Sequence, residues 1–176
     1  MLRLLLFTTA AALVVSLPAS AREPDTARTI QQLEDGIQNK APATYFALAT
    51  ELFRNNQKDE AAFWYFVGDL RYRASILAKA QGSDASEEQY HFSFVSQSVG
   101  EAIFESANHH PSVLVKAIDR ALAWDQEQPN GYTSKVQFGA EYERARQELL
   151  ALEQRIKEGR TPVPAKKGSG RGLLSW

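Results

Sequence analysis

The densest apolar stretch of the chain is KDEAAFWYFVGDLRYRASIL, at positions 58–77. It contains four consecutive aromatic residues, Phe63 to Phe66. Successive residues of an α-helix point about 100° apart, so four in a row occupy most of its circumference. A helix that is apolar nearly all round must be covered on several sides. The pattern therefore predicts a central helix from about Asp59 to Lys79, with other helices packed around it.

Apolar residues at helical spacing recur on both sides of this segment and predict further helices. The predicted ranges are 29–39, 42–53, 87–107, 111–124 and 134–158. The polar break Asn55 to Gln57 is too short for anything but an antiparallel hairpin between its two neighbouring helices. The prediction is an all-α protein, an irregular bundle of antiparallel helical hairpins with five or six helices.

Several boundaries carry local signals. Pro42 suits the first turn of a helix, and Ser86 with Gln89 matches a capping box. Gly36 lies inside the first predicted helix and weakens it. Gly100 predicts a split or kink in the helix at 87–107, and the alternation at positions 90–95 leaves a strand open there. The apolar stripe predicted for that helix consists of Tyr90, Phe94, Val95, Val99, Ile103 and Phe104.

Part of the predicted hairpin resembles a repeat family. Glu60-Ala61-x-x-Trp64-Tyr65-x-x-Gly68 is similar to the second-helix signature of SEL-like repeats, which are relatives of the tetratricopeptide repeat. Leu48-Ala49 falls where those repeats place Leu-Gly, whereas Glu60 replaces a basic residue and Asp69 a small one. Positions 117–130 are similar to the second half of a tetratricopeptide unit, about 56 residues after the first match. The resemblance implies helical hairpins, and the spacing favours two irregular hairpins over a regular solenoid.

The last predicted helix carries a heptad seam. Its apolar residues follow one another at intervals of 4, 3, 4, 3 and 4 positions. They are Phe138, Tyr142, Ala145, Leu149, Leu152 and Ile156. Two uses of the seam remain open, namely docking on the protein's own core and pairing with a partner helix or a second copy.

The first residues, MLRLLLFTTAAALVVSLPASA, have the pattern of a secretory signal peptide. A basic start is followed by an apolar run and by a small-residue exit at Ala19-Ser20-Ala21. Cleavage after residue 21 of the 176 leaves 155 residues, and an uncleaved N-terminal anchor is the alternative. The expected organisation is a signal peptide at 1–21, one helical domain at 22–158 and a disordered basic tail at 159–176. The expected location is periplasmic or secreted.

Charge divides the chain into an acidic body and a basic tail. All of the acidic residues lie in residues 22–158, which carry a net charge near −6. The tail holds four bases and no acid, namely Arg160, Lys166, Lys167 and Arg171. An acidic body disfavours nucleic acid as a partner. The tail suits contact with an anionic membrane surface or an acidic partner, and a solvated tail is the alternative. Its final Leu-Leu-Ser-Trp is either a docking peptide or without a role.

Chemistry-bearing residues are sparse. The chain has no cysteine and three histidines, none at a metal-binding spacing, so no cofactor is predicted. Glu101, Glu105 and His109 share one face of the predicted fourth helix. They form either a solvated stripe or a weak site, and an envelope-acting hydrolase through Glu101 or Glu105 is the enzymatic alternative.

The aromatic and arginine residues of the central helix are the predicted partner-binding site. Trp, Tyr and Arg dominate protein-binding hot spots, and Tyr65, Arg71, Tyr72 and Arg73 supply two of these three types. In the structural alternative the aromatics are core, and Asp69 with Arg73 forms an ion pair. The predicted function is an exported, non-enzymatic binding protein that holds a protein partner, in a sharper version an immunity or inhibitor protein. A dimeric structural or assembly factor, paired through residues 138–156, is the remaining alternative.

Overall fold

A computed structural model describes residues 23–80 and 85–160, which form six α-helices and no strand. The predicted all-α bundle is confirmed. The predicted signal peptide and residues 161–176 lie outside the described residues. Across the described ranges, no helix combines the length and the apolar character that crossing a membrane requires. The helices are α1 (Glu23–Glu34), α2 (Ala43–Arg54), α3 (Lys58–Lys79), α4 (Ala85–Ser106), α5 (Ser112–Glu127) and α6 (Gly139–Lys157), with a 3-10 turn at Ile37–Asn39.

The central helix of the bundle is α3. Every residue from Ala61 to Tyr72 is buried, because α2, α4, α5 and α6 all pack against this helix. Phe66, Val67 and Leu70 have no exposed surface at all. The predicted helix, its limits near positions 58 and 79 and its coverage on several sides are confirmed.

The α2–α3 hairpin turns at Asn56, which has a positive φ of 59°. Asparagine tolerates this left-handed conformation better than most side chains do. The N–H of Gln57 donates to the Leu52 carbonyl at 2.9 Å, which closes the end of α2. The short polar break therefore works as predicted and returns the chain antiparallel along α2.

Helix α4 runs antiparallel to α3. Tyr72 contacts Phe92 near the start of α4, and Tyr65 contacts Phe104 near its end. The helix passes unbroken through Gly100, where an added Cβ would lie 2.6 Å from the Tyr65 hydroxyl. The predicted split and the alternative strand are therefore wrong, because this glycine lies inside a continuous helix and makes room for a tyrosine ring.

Helices α5 and α6 complete the coverage of α3. Helix α5 runs parallel to α3, since Glu60 pairs with Arg120 and Arg71 pairs with Asp125 further along both helices. Helix α6 packs on α3 and α5. Its heptad seam is buried at Tyr142, Ala145, Leu149 and Ile156. The seam therefore docks on the protein's own core.

Four predicted boundaries are wrong. Gly36 has a φ of 61° and follows the end of α1, which itself begins at Glu23 rather than at Thr29. Glycine is favoured in this left-handed position just beyond a helix. Ser86 lies in the first turn of α4 rather than capping it. Helix α6 starts at Gly139, because the N–H of Phe138 closes a separate turn onto the Ser134 carbonyl.

We expect Gly68→Ala to destabilise the protein. An added Cβ would lie 2.9 Å from the Tyr45 Cβ, which the α2 backbone holds in place, and 3.3 Å from a Phe46 ring carbon. Alanine gains about 1 kcal/mol of helix propensity. Overpacking of this kind costs about 1–3 kcal/mol. Urea unfolding should therefore show a lower free energy of unfolding.

The matched control is Gly139→Ala at the start of α6, where an added Cβ meets nothing within 4 Å. Its free energy of unfolding should be unchanged or higher. Equal effects of the two substitutions would contradict close packing of α2 on α3.

Candidate functional site

The charged centre of the protein is Arg71, whose side chain is fully buried on α3. Its Nε donates to Asp125 Oδ1 at 2.8 Å, and its Nη1 donates to the Tyr45 hydroxyl at 2.6 Å. Its Nη2 donates to the Pro129 carbonyl at 2.9 Å. The guanidinium also lies 4.7 Å from the centre of the Trp124 ring. These contacts replace the water that the buried charge has lost.

The second oxygen of Asp125 accepts a second cation. Its Oδ2 lies 3.0 Å from Lys135 Nζ, which also donates to the Gln128 carbonyl at 2.9 Å and to the Asp125 carbonyl. Burial lowers the pKa of Lys135, although Asp125 acts in the opposite direction. The lysine therefore closes the carboxyl end of α5, as cations at helix ends commonly do.

The loop after α5 is held by Asn130. Its side-chain oxygen accepts from the N–H groups of Tyr132 and Thr133 at 2.9 and 3.1 Å. Its amide nitrogen donates to the hydroxyl of Tyr142 on α6. Burial raises the pKa of Tyr142 to about 12, so this hydroxyl stays protonated at neutral pH. The buried centre thus joins α2, α3, α5, α6 and the loop between the last two.

A cleft of about 430 Å³ opens beside this centre. Its volume suits a small molecule. Its cations are already engaged, since Arg146 donates to the Leu122 carbonyl at 3.2 Å and Lys135 holds α5. We therefore interpret the cleft as the outer side of the contacts that hold α5 in place, rather than as a binding site. It is lined by Asp125, Gln126, Lys135, Gly139, Tyr142, Glu143 and Arg146.

The four predicted partner-binding residues point to different sides of α3. Arg71 faces α5 with no exposed surface, while Tyr65 and Tyr72 are each 6% exposed and face α4. The Tyr65 hydroxyl donates to the Ser96 carbonyl at 3.3 Å, and burial raises its pKa well above the usual range. The structure does not bring these three side chains together on a surface, and their use by a partner stays a prediction.

Arg73, the fourth predicted residue, bridges three helices. It pairs with Asp69 on its own helix at 2.7 Å and with Glu148 on α6 at 3.1 Å. Its guanidinium lies 5.1 Å from the ring centre of Phe92 on α4. Burial acts to lower the pKa of Arg73, but Asp69 and Glu148 outweigh it and raise the pKa. The predicted structural ion pair of Asp69 with Arg73 is therefore confirmed.

The most unusual exposed surface lies on α4. Tyr90 is 71% exposed and Phe94 is 66% exposed, one helical turn apart. Such aromatic rings are usually core residues, and here the opposite face of the helix supplies the core. The exposed face also contains acidic residues at both ends and no Lys or Arg. We call this face the α4 stripe, and its exposed members are Glu87, Tyr90, His91, Phe94, Ser98, Glu101 and Glu105.

The predicted apolar stripe of α4 is partly wrong. Its members Val95, Val99, Ile103 and Phe104 pack in the core, whereas Tyr90 and Phe94 face solvent. In the first half of α4 the buried aromatic is instead Phe92, which is 7% exposed and contacts Phe46 and Tyr72. Apolar residues occur on both faces of α4, so their period alone could not decide which face is buried. One signal in the sequence could have identified the exposed face. At helical spacing, Tyr90 and Phe94 share a face with Glu87, His91 and the later acids.

The acidic residues singled out for chemistry are all at the surface. Glu101, Glu105 and His109 are exposed. Within residues 23–80 and 85–160, no group of three His, Asp or Glu side chains is placed to hold a metal ion. Glu101 and Glu105 contribute their charge to the α4 stripe.

No protein-family model, curated protein or solved structure matches this chain.

We expect Asp125→Ala to lower the free energy of unfolding by about 3–5 kcal/mol, since it leaves the buried Arg71 and Lys135 without their carboxylate. The measurement is urea unfolding at neutral pH.

Glu60→Ala is the matched control, because Glu60 and Arg120 also join α3 to α5 but have half-exposed side chains. Exposed pairs contribute about 0–1 kcal/mol. A loss for Asp125→Ala as small as that of the control would show that the buried pair does not stabilise the bundle.

Proposed function

We propose that this chain is an exported, non-enzymatic helical binding protein that holds a protein partner in the cell envelope. The observation that carries the proposal is the α4 stripe, in which Tyr90 and Phe94 project into solvent from a helix whose other face is packed. Aromatic side chains bury about 150–250 Å² each when covered and dominate interface energetics. A rigid helix that presents two of them one turn apart is suited to dock in a partner's groove.

The charge of the α4 stripe indicates what kind of surface the partner presents. Glu87 lies at one end, Glu101 and Glu105 lie at the other, and α4 contains no Lys or Arg. The body as a whole is acidic as well. A complementary surface is therefore apolar at its centre and basic around it, which gives specificity and fast association. Nucleic acid is disfavoured, because its phosphates would be repelled by the same carboxylates.

Two further features support the proposal. The first residues have the pattern of a secretory signal, which leads to a periplasmic or secreted location. The α2–α3 hairpin resembles a SEL-like or tetratricopeptide-type unit, and hairpins of that kind present surfaces for protein binding. The sharper version is an immunity or inhibitor protein that blocks a toxin acting on the envelope, and it rests on analogy with small exported helical proteins.

The two alternatives have less support. An envelope hydrolase using Glu101 or Glu105 needs a carboxylate in a cleft whose surroundings tune its pKa, and both side chains stand on an exposed helix face. A dimer through residues 138–156 needs the α6 seam, of which Leu149 and Ile156 are buried against the protein's own helices.

The test is capture from an envelope extract of the producing cell with the mature protein as bait, followed by reconstitution. A captured protein counts only if its purified form binds the bait with fixed stoichiometry. Tyr90→Ala combined with Phe94→Ala should then weaken binding by at least about 2 kcal/mol, or about 30-fold in Kd, as hot-spot truncations do. The same cells test export, because the protein recovered from the periplasm should begin at Arg22.

Leu150→Ala is the matched control, since Leu150 is an exposed apolar residue on α6 at 37% exposure. Its Kd should match that of the unchanged protein. A reconstituted partner whose Kd responds equally to all of these substitutions would contradict binding through the α4 stripe, and so would the failure of every captured protein to reconstitute.

A further inference from the structure

The α4 stripe has a complement within the same chain. From the carboxyl end of α4 backwards, the stripe presents the acids Glu105 and Glu101, then the aromatics Phe94 and Tyr90. The chain beyond α6 presents bases first and apolar residues afterwards. Its bases are Lys166, Lys167 and Arg171, and its apolar residues are Leu173, Leu174 and Trp176.

The chain leaves α6 in a defined place. Gly159, with a φ of 73°, ends the helix, and the N–H of Arg160 donates to the Arg155 carbonyl at 2.8 Å. This arrangement is a Schellman motif, so the described backbone is anchored up to Arg160. Arg73 contacts both Phe92 and Glu148, and these contacts put the early part of α4 level with the middle of α6.

Helices α4 and α6 run in the same direction. Helix α4 is antiparallel to α3, and α6 is antiparallel to α5 because Tyr142 lines the same cleft as Asp125 while the later Arg146 reaches the earlier Leu122. Since α5 is parallel to α3, α4 and α6 are parallel to each other. The end of α6 is therefore level with the acidic end of the stripe. A chain that turns back from Arg160 meets the acids before the aromatics.

The remaining chain is long enough to reach the aromatics. Twelve residues of α6 and its cap, at a helical rise of about 1.5 Å each, put Arg160 about 18 Å beyond the level of Glu148. Helices α4 and α6 both pack on α3, so their axes lie up to two helix spacings of about 8–10 Å apart, and the path to Phe94 is on the order of 35 Å. The thirteen residues from 161 to 173 span up to about 43 Å when extended.

We propose that residues 161–176 dock on the α4 stripe of the same chain. Lys166 and Lys167 lie against Glu101 and Glu105, and the Leu-Leu-Ser-Trp segment covers the two aromatics. The segment thereby occupies the surface that the proposed partner needs. A role of this contact in regulating partner binding rests on the proposed function, whereas the contact itself does not.

The attachment of the segment explains how a weak contact suffices. A tethered segment acts at an effective concentration in the millimolar range, so it covers the stripe without high intrinsic affinity. A partner that binds more tightly displaces it. The contact between exposed charges weakens as salt is added, because screening acts over about 8 Å at physiological ionic strength.

The test uses the absence of cysteine from the chain. Ser175→Cys gives the full mature chain a single thiol for a nitroxide label, and paramagnetic broadening of backbone amide signals reports which residues the label approaches. We expect loss of signal at amides of the α4 stripe from 90 to 98, and little loss on the outer face of α6 around Gln147 and Ala151. Uniform broadening, or broadening confined to residues near 160, would overturn the proposal.

Variants of the stripe and of the segment separate the outcomes. Tyr90→Ser with Phe94→Ser, or Lys166→Glu with Lys167→Glu, should abolish the selective loss, and Leu150→Ser should leave it unchanged. Adding Glu101→Lys and Glu105→Lys to the Lys166→Glu, Lys167→Glu chain should restore it. Failure of this charge exchange to restore the loss would overturn the proposed pairing.

A mixed sample identifies the occupant. If isotope-labelled chains without nitroxide are broadened at the stripe by nitroxide-bearing chains without isotope, the occupant is a second copy and docking within one chain is wrong. These measurements need no partner. Their failure would leave partner binding through Tyr90 and Phe94 standing, and failure of partner binding would leave the docked segment standing.

Discussion

A helix that is buried on every side must find partners inside the protein for each polar group that it carries. Helix α3 is in this position, and it carries Asp69 and Arg71 within its buried run. The partners of Arg71 are distant in sequence, namely the Gln38 carbonyl, Tyr45 on α2, Asp125 on α5 and Pro129 in the loop that follows. Apolar packing alone tolerates small shifts of one helix along another. We infer that the charged centre selects the one arrangement of α2, α3 and α5 in which these groups meet.

The fold was largely predictable because a few local patterns were strong. Four adjacent aromatics left no polar face for water, so the central position of α3 followed from helix geometry. The heptad seam of α6 and the break at Asn55 to Gln57 were similarly direct. The failures came where one residue type has two physical uses. Gly36 ends a helix by its backbone conformation, whereas Gly100 stays inside one and makes room for Tyr65.

The candidate site was less predictable, for a physical reason. Arginine and tyrosine are typical both of interfaces and of buried polar contacts, and their partners decide between the two. The carboxylate that accepts from Arg71 is 54 residues away, a separation over which sequence periodicity gives no information. On α4, Phe92 and Phe94 differ only in the face they occupy, and the packing of Phe46 and Tyr72 chooses Phe92. Because Phe92 is buried, Tyr90 and Phe94 lie on the opposite face of α4 and are exposed.

Native-state hydrogen exchange tests the central role of α3 most directly. If the bundle closes around this helix, amides from Phe63 to Tyr72 exchange only when the whole domain unfolds. Their opening free energy should equal the free energy of unfolding from urea titration, and no helix should exceed it. Exchange of these amides through a local opening of lower free energy than global unfolding, while α5 or α6 stays protected, would contradict the account.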